Sequence, residues 1–543
     1  MFVDAREVEF GAVVKTDVCV IGGGMAGLTV ARELDRCGLD VCLLESGGLA
    51  ADRATRGLSR GEDVGLPSCI AEGDRSRFLG GGSNMWNGWC RPLEDEDFRP
   101  RHWAPYSGRP IGKAELQSYY SRAQAVLGLG PANYDLDHWV SRLGRTDVRR
   151  LPLSPERITD TMSQFTFPTS FASLYHKELD RSTRLRVFLY ANVVEIETDQ
   201  AGIGARRAVI LSLRGRKMFV SARVFVLAAG AIENARILLA SNRVRRAGLG
   251  NNYDLVGRYF MDHPTFVSGD VRFSDAWRSN PLYDERFNRS DPRLSVEGTC
   301  FAAQCQVTPT VRRQEGLLNA QVWFSSVYAG EHPIVVRALD RLKRKLFDQD
   351  LPEDRVIDQL LQLAAHPKET VQVAVARWFR LRQLVRGVRV RALVEPMPDP
   401  ESRVTLGEDQ DELGMRRVRV NWRLDTRVQR TCDRTLAILA EELERAGVAR
   451  VVLGPSIEGR QWDTDGGMVP NRHYLGTTRM HDSPRFGVVD RDGLVHGLRN
   501  VFVTGGSVFP TAGASPPALT VVALALRLAD HLVKELKPGP ARI

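Results

Sequence analysis

The eight cysteines include no C-x-x-C pair, and neither a zinc site nor a disulfide framework is indicated. Cys19 and Cys42 lie in apolar runs, where a thiol behaves as a small hydrophobe. No basic segment followed by an apolar core opens the chain. The longest apolar run, Ala518–Leu526, stops at Arg527, far short of the roughly 20 residues a membrane-spanning helix needs. A cytoplasmic protein with no membrane partner is therefore expected. Basic residues outnumber acidic ones, 75 to 66, for a net charge of +9, but the arginines are scattered. Arg142–Arg150 and Arg377–Arg391 are local concentrations. No stretch interleaves basic and aromatic residues regularly, which argues against nucleic acid as a partner. Internal repeats and low-complexity tracts are absent too. At 543 residues the chain is too long for one small core and implies two or more large units.

What is present is organised around Thr16–Ser46. Asp17–Ile21 is an apolar run suited to a buried strand, and Gly22–Gly27 follows at once. Leu28, Val30, Ala31 and Leu34 then recur at helical spacing, Gly38 closes the helix, and Val41–Leu44 runs into Glu45. Gly22 allows a tight turn, Gly24 lets backbone N–H groups approach a pyrophosphate, and Gly27 lets helix and strand pack closely. Met25 and Ala26 open the helix, whose N-terminus faces the phosphate charge. Glu45 stands where a carboxylate accepts ribose hydroxyls. Strand, turn, helix, second strand and acid in register predict a dinucleotide site, with a purely structural glycine turn as the alternative.

Further along, Gly80–Gly88 places three glycines beside Ser83 and Asn84, with Trp86 and Trp89 around Asn87 and Gly88. This suits close backbone approach to a flat ligand between aromatic walls; the alternative is a glycine-rich surface loop. Lys113–Leu127 predicts an amphipathic helix ended by Gly128. Strands are expected at 186–190, 193–198, 207–213 and 217–220. Val224–Gly230 reads as another buried strand ending in glycine, followed by a helix over 232–240. Asp262–Pro264 marks an exit from this unit. From Thr265 to about Thr464 the texture changes. Strands are expected at 267–273, 296–306, 317–324, 387–395 and 416–422, and helices at 333–346, 356–376 (broken near Pro367) and 427–446. No glycine fingerprint occurs there, so a separate domain on an antiparallel sheet is expected. Val501–Val503 and the helix from Ala518 return to the first texture.

Among ten histidines, His473 stands out. It precedes Gly476 in a loop that also carries Thr477, Thr478 and Arg479, and its unperturbed pKa suits proton abstraction near neutral pH. The nearest rival, His263, reads as structural.

Several stretches together resemble the glucose–methanol–choline (GMC) oxidoreductases, a family of FAD-dependent alcohol oxidases and dehydrogenases. They are Gly22–Gly27 with Glu45, Gly80–Gly88, Ala228–Leu238, Asp254–Pro264, His473–Met480 and Gly487–Lys534. Within the family the chain is most similar to the bacterial, pyranose-oxidase-like branch. The resemblance implies His473 as the base that takes the hydroxyl proton while hydride leaves for flavin N5. It places Gly81, Ser83, Asn84, Met85, Asn87 and Gly88 under the isoalloxazine ring, Val193 on the adenine side and Gly230 at the second glycine turn. Gly506, Ser507, Ala518, Leu519 and Thr520 fall at the diphosphate and the ring's pyrimidine end. Two departures stand out. A histidine that carries FAD covalently in some relatives is here Met85, which implies non-covalent FAD. The family's second catalytic residue, usually Asn or His, is here Pro516, which has no side-chain donor.

The expected architecture is α/β. A Rossmann-like FAD-binding domain (parallel sheet with helices) over 1–264 and 465–543 encloses an α+β substrate domain on an antiparallel sheet over 265–464. The expected activity is oxidation of an alcohol (sugar, glycoside, polyol or sugar-decorated natural product) to a carbonyl. Oxygen or another electron acceptor would reoxidise the flavin. A flavin-binding lyase, or a low-activity member of the same fold, is the alternative that Pro516 keeps open.

Overall fold

The computed structural model describes residues 1–68, 75–166, 170–277, 280–288, 294–328, 331–347, 356–379, 381–454 and 467–537. Cys69 and the expected boundary at residue 464 lie outside them. The first sheet has eight strands. Its path runs Phe2–Asp4, Leu185–Leu189, Val41–Leu44, Val13–Ile21, Lys217–Leu227, Ala205–Leu211, Asn192–Thr198, with Val501–Val503 also paired to Lys217–Leu227. The members up to Lys217–Leu227, and Val501–Val503, pair in parallel; the last two are antiparallel. Val18 to Val20 and Val41 to Leu43 are wholly buried, as strands covered on both faces must be.

Lys217–Leu227 is one strand, where the sequence reads as two runs broken by Ser221–Arg223. The polar break marks a change of neighbour. Residues 217–221 pair with Ala205–Leu211, and 225–227 pair with Val501–Val503.

Helix Met25–Arg36 packs on this sheet, Ala518–Leu536 packs on Met25–Arg36, and Lys113–Leu127 packs on Ala518–Leu536. Arg122 reaches Glu33 Oε2 at 2.7 Å and Asp530 Oδ2 at 2.6 Å, bridging the other two helices. Gly128 ends its helix in the left-handed region at φ 66°, the usual role of a C-terminal glycine. Among the described residues, no helix is long and apolar enough to cross a membrane.

The second sheet is antiparallel. Its path runs Ala449–Val452, Pro264–Phe273, Val385–Val394, Ala320–Tyr328, Thr299–Val307, Ile158–Phe165, Trp89–Cys90. Helix Thr426–Arg445 packs against it, burying Val428, Cys432, Leu436, Leu439 and Leu443 at helical spacing. This sheet is not confined to the 265–464 segment, because Trp89–Cys90 and Ile158–Phe165 complete its edge. Arg416–Asn421, expected in this sheet, belongs instead to a small three-stranded one with Arg403–Gln410 and Gly61–Asp63. Arg236, buried on the helix Ala231–Ala240, anchors it there. Its Nε donates to Arg416 O (2.9 Å) and its Nη2 to Asp411 Oδ2 (2.7 Å).

The predicted break near Pro367 separates Val356–Ala365 from Pro367–Phe379, as expected where a proline removes the ladder donor. A buried two-pronged pair, Arg101 with Glu395, ties the segment after Trp89 to the end of strand Val385–Val394.

Candidate active site

The turn after Val13–Ile21 has no room for side chains at two glycines. Gly22 sits at φ 108°, and a Cβ there would meet Ala228 O at 2.7 Å; a Cβ on Gly27 would lie 1.9 Å from Gly22 O. Gly24 is different. Its φ of −81° and ψ of −175° suit any residue, and the nearest atom to a Cβ would be Gly81 Cα at 4.0 Å. The helix that starts there has no side-chain cap and no acidic residue in its first turn. Such an end, with open space before it, fits a phosphate group.

Glu45 is buried, and its two oxygens accept from Gly23 N (2.8 Å) and Gly47 N (2.9 Å). Burial pushes its carboxyl above the usual range, while those two bonds and Arg77 pull it down. Ala191 N donates to Glu45 O (2.8 Å), which brings Asn192 and Val193 beside the acid; Val193 itself is buried. On the other side Gly80 N donates to Gly23 O (2.8 Å), so the second glycine segment docks on the first. Ser83 Oγ donates to Gly80 O (2.7 Å), and Asn84 Nδ2 donates to Leu79 O (3.1 Å), holding that segment in a tight turn. The Met85 side chain is 37% exposed. Gly88 takes φ 74° against Thr166.

Distant segments close on the same place. Gly230, at φ 84°, opens the helix Ala231–Ala240 with no atom within 4 Å of a would-be Cβ. Asn234, inside that helix, accepts from Ala229 N (2.9 Å) and donates to Ser507 Oγ (2.9 Å). Gly505 lies against Ala26, and Gly506 O accepts from Gly476 N (3.2 Å). The final helix starts at Ala518 with no side-chain cap and no acid in its first turn. Leu519 and Thr520 are fully buried there, and Thr520 Oγ1 hydrogen-bonds Tyr120 OH (3.0 Å). The uncapped helix ends, the open glycines Gly24 and Gly230 and the carboxylate Glu45 together fit a dinucleotide such as FAD.

The loop that carries His473 is anchored by Asp262, His263 and Thr265. Arg472 adopts φ 61°, a left-handed backbone that is strained for a side chain of its size. Asp262, fully buried, compensates by accepting from Arg472 N (2.9 Å) and His473 N (2.7 Å). Burial holds the Asp262 carboxyl at about 7, against the pull of those N–H groups. Asn471 Nδ2 donates to His263 O (2.6 Å) and Thr265 Oγ1 (2.8 Å). His473 is half-buried. Burial, with His263 beside it, lowers its pKa to about 3, so its ring is neutral at ordinary pH. His263 reads from sequence as a structural residue at a domain exit, yet its Nδ1 lies 3.2 Å from His473 Nδ1. No local signal shows this, because the two are 210 positions apart.

Pro516 has a neighbour, Ser515, whose hydroxyl could have supplied the missing donor. That group is committed: Ser515 Oγ donates to Pro92 O (3.0 Å) and accepts from Arg91 Nη2 (3.0 Å). In the antiparallel sheet Thr265, the Asn471 partner, pairs with Leu393 and Leu393 with Gln321, so these three side chains share one sheet face. Cys305 pairs with Val322, which puts Gln304 on that face too. Among the described residues, the buried Nε2 groups of Gln304 and Gln321 have no hydrogen-bond partner.

Comparisons with known proteins agree with this geometry. The GMC oxidoreductase model matches residues 398–525, a span that holds His473 and the start of the final helix. The FAD dependent oxidoreductase model matches residues 17–246, which hold Gly22–Gly27, Glu45 and Gly230. The chain is thus similar to the GMC oxidoreductases over its C-terminal part. The second match makes it an FAD-dependent oxidoreductase. It is 24% identical to the 6'''-hydroxyparomomycin C oxidase of Streptomyces lividus, over 96% of this chain and 92% of that one. It is 26% identical to the fructose dehydrogenase large subunit of Gluconobacter japonicus, over 59% of this chain and 49% of that subunit. Pyridoxine 4-oxidase from Mesorbium loti has the same fold at TM-score 0.56 and 17% identity, covering 95% of this chain and 99% of that one.

Proposed function

We propose that this chain is a GMC oxidoreductase that oxidises a hydroxyl of a polyhydroxylated substrate (a sugar, glycoside, polyol or sugar-decorated natural product) to a carbonyl, with His473 as the base. The observation that carries it is the pinned loop: a neutral, half-open imidazole whose backbone N–H is clamped by Asp262 at 2.7 Å. A base whose backbone is held this way keeps its place in the site. Bound FAD would supply the hydride acceptor. His473 takes the hydroxyl proton, and the uncapped N-termini at Met25 and Ala518 hold negative charge. The two unpartnered amides, Gln304 and Gln321, support a substrate rich in hydroxyls, because a buried N–H without an acceptor costs free energy that a hydroxyl oxygen relieves. Residues 1–264 with 465–543 serve as the cofactor unit and residues 265–464 contribute most of the substrate side. Met85 has no nucleophile, so the cofactor is held without a covalent bond; flavin released into the supernatant on acid precipitation tests this.

Pro516 favours a second reading, a lyase on the same scaffold, since Ser515 is committed elsewhere. Anaerobic mixing of the FAD-loaded enzyme with a panel of sugars, glycosides and polyols separates the two. Bleaching of the yellow flavin with at least one of them supports oxidation; substrate consumption with the flavin left oxidised supports the lyase.

A further inference from the structure

His263 is wholly buried, and its Nε2 lies 2.7 Å from Gly513 O. A carbonyl oxygen only accepts, so Nε2 carries the hydrogen. In a neutral imidazole the other nitrogen, Nδ1, is then a lone-pair acceptor. That nitrogen faces His473 Nδ1 at 3.2 Å, with the rings nearly perpendicular at 80°. Two bare lone pairs would repel, so His473 Nδ1 carries the hydrogen and donates it.

We propose that His263 is a positioning residue that fixes the tautomer of His473, resting on the reading of His473 as the base. Gly513 O sets the proton on His263, His263 Nδ1 holds the proton on His473 Nδ1, and His473 Nε2 is left as the lone pair that takes the substrate proton. The opposite arrangement would put a bare Nε2 of His263 against the carbonyl of Gly513. A doubly protonated His263 would satisfy both bonds, but burial opposes it and lowers its pKa to about 4. The relay also gives a role to the buried sequence Asp262–His263. One carboxylate pins the backbone of His473 and the next side chain pins its ring. Which nitrogen bears the proton is commonly set in this way, by the hydrogen bond the other nitrogen makes.

The test is nitrogen NMR on FAD-loaded protein labelled with 15N-histidine, with the His473 signals assigned by comparison with His473→Gln. The proposal expects a bare Nε2 and a protonated Nδ1 on His473 at pH 7. In His263→Leu the acceptor is gone, and His473 should show a mixture of both tautomers. His263→Asn, whose side-chain oxygen accepts, should restore most of the original signal. Anaerobic flavin reduction should fall about tenfold or more in His263→Leu, with flavin content unchanged, and recover in part in His263→Asn. A protonated Nε2 on His473 in the parent protein overturns the proposal, as does an unchanged tautomer in His263→Leu. If flavin reduction survives in His473→Gln, the role of His473 as base fails instead, whatever the tautomer. Should neither leucine nor asparagine variant fold, the tautomer of the parent protein alone still decides.

Discussion

Gly24 offers a clean separation of folding from cofactor binding. Its backbone angles suit alanine, and a methyl there would meet no protein atom closer than 4.0 Å. In the apoprotein, Gly24→Ala restricts the unfolded chain, stabilising by about 0.4–1 kcal/mol. It also loses the preference for glycine over alanine at a helix N-cap, which costs a similar amount, roughly 0.5–1 kcal/mol. The two offset, so apoprotein melting should barely move. Gly27→Ala is the contrast. Its Cβ would sit 1.9 Å from Gly22 O, so the helix must withdraw from the turn and the apoprotein must lose stability. For FAD the ranking differs, since the methyl of Gly24→Ala would occupy the open space before the helix end where a phosphate would sit. Inserting a methyl into a packed contact costs about 1–3 kcal/mol, a weakening of roughly 5- to 150-fold. Thermal denaturation of the apoproteins and titration with FAD by fluorescence quenching measure both quantities. Wild-type FAD affinity in Gly24→Ala, or a marked drop in its apoprotein melting point, would refute the idea that this glycine exists for the ligand.

Two further outcomes follow from buried groups. Glu45→Ala leaves the N–H groups of Gly23 and Gly47 without acceptors. At about 1–3 kcal/mol for each such group, the apoprotein should lose roughly 2–6 kcal/mol in urea unfolding and bind FAD poorly; unchanged stability would contradict the contacts described. His263 should act on stability through pH. Its pKa is lowered from 6.5 to about 4 by burial, so between these values the unfolded chain takes up a proton that the folded one refuses. Stability from this group is lost as pH falls through that window, by about 3 kcal/mol at pH 4. Buried carboxyls raised by burial, Asp262 and Asp97, act in the opposite sense, so the difference between wild type and His263→Leu is the quantity to follow. That difference should shrink by about 3 kcal/mol from pH 7 to pH 4 and stay flat above pH 7.

The dinucleotide unit was legible because its signals are local. Gly22 and Gly27 are forced by atoms within a few residues or in the paired strand, and the apolar runs around them keep the period of their elements. The antiparallel sheet was legible only in part. Strand Ile158–Phe165 escaped because its sequence is polar, yet Ser163 and Gln164 are fully buried. They are satisfied by partners far along the chain, Gln304 Oε1 at 3.1 Å and Pro131 O at 2.8 Å, and burial arranged that way leaves no hydrophobic period to read. Arg416–Asn421 was placed in the wrong sheet for a similar reason, since an anchor that holds it, Arg236, lies in another unit. In the site, His473 was named from its loop. Asp262 and His263, which hold it, read in the sequence as a domain exit, and the bonds that commit Ser515 come from Arg91 and Pro92, more than 400 positions away.

The central claim is that His473 takes the proton of an alcohol oxidised at a bound flavin. Rapid anaerobic mixing of FAD-loaded wild type and His473→Ala with a sugar or polyol that bleaches the wild-type flavin tests it most directly. Removing a positioned general base costs about 100- to 10,000-fold. His473→Ala should therefore retain its FAD and reduce it at least about a hundredfold more slowly. Reduction at the wild-type rate in a variant that still holds its flavin would contradict the account.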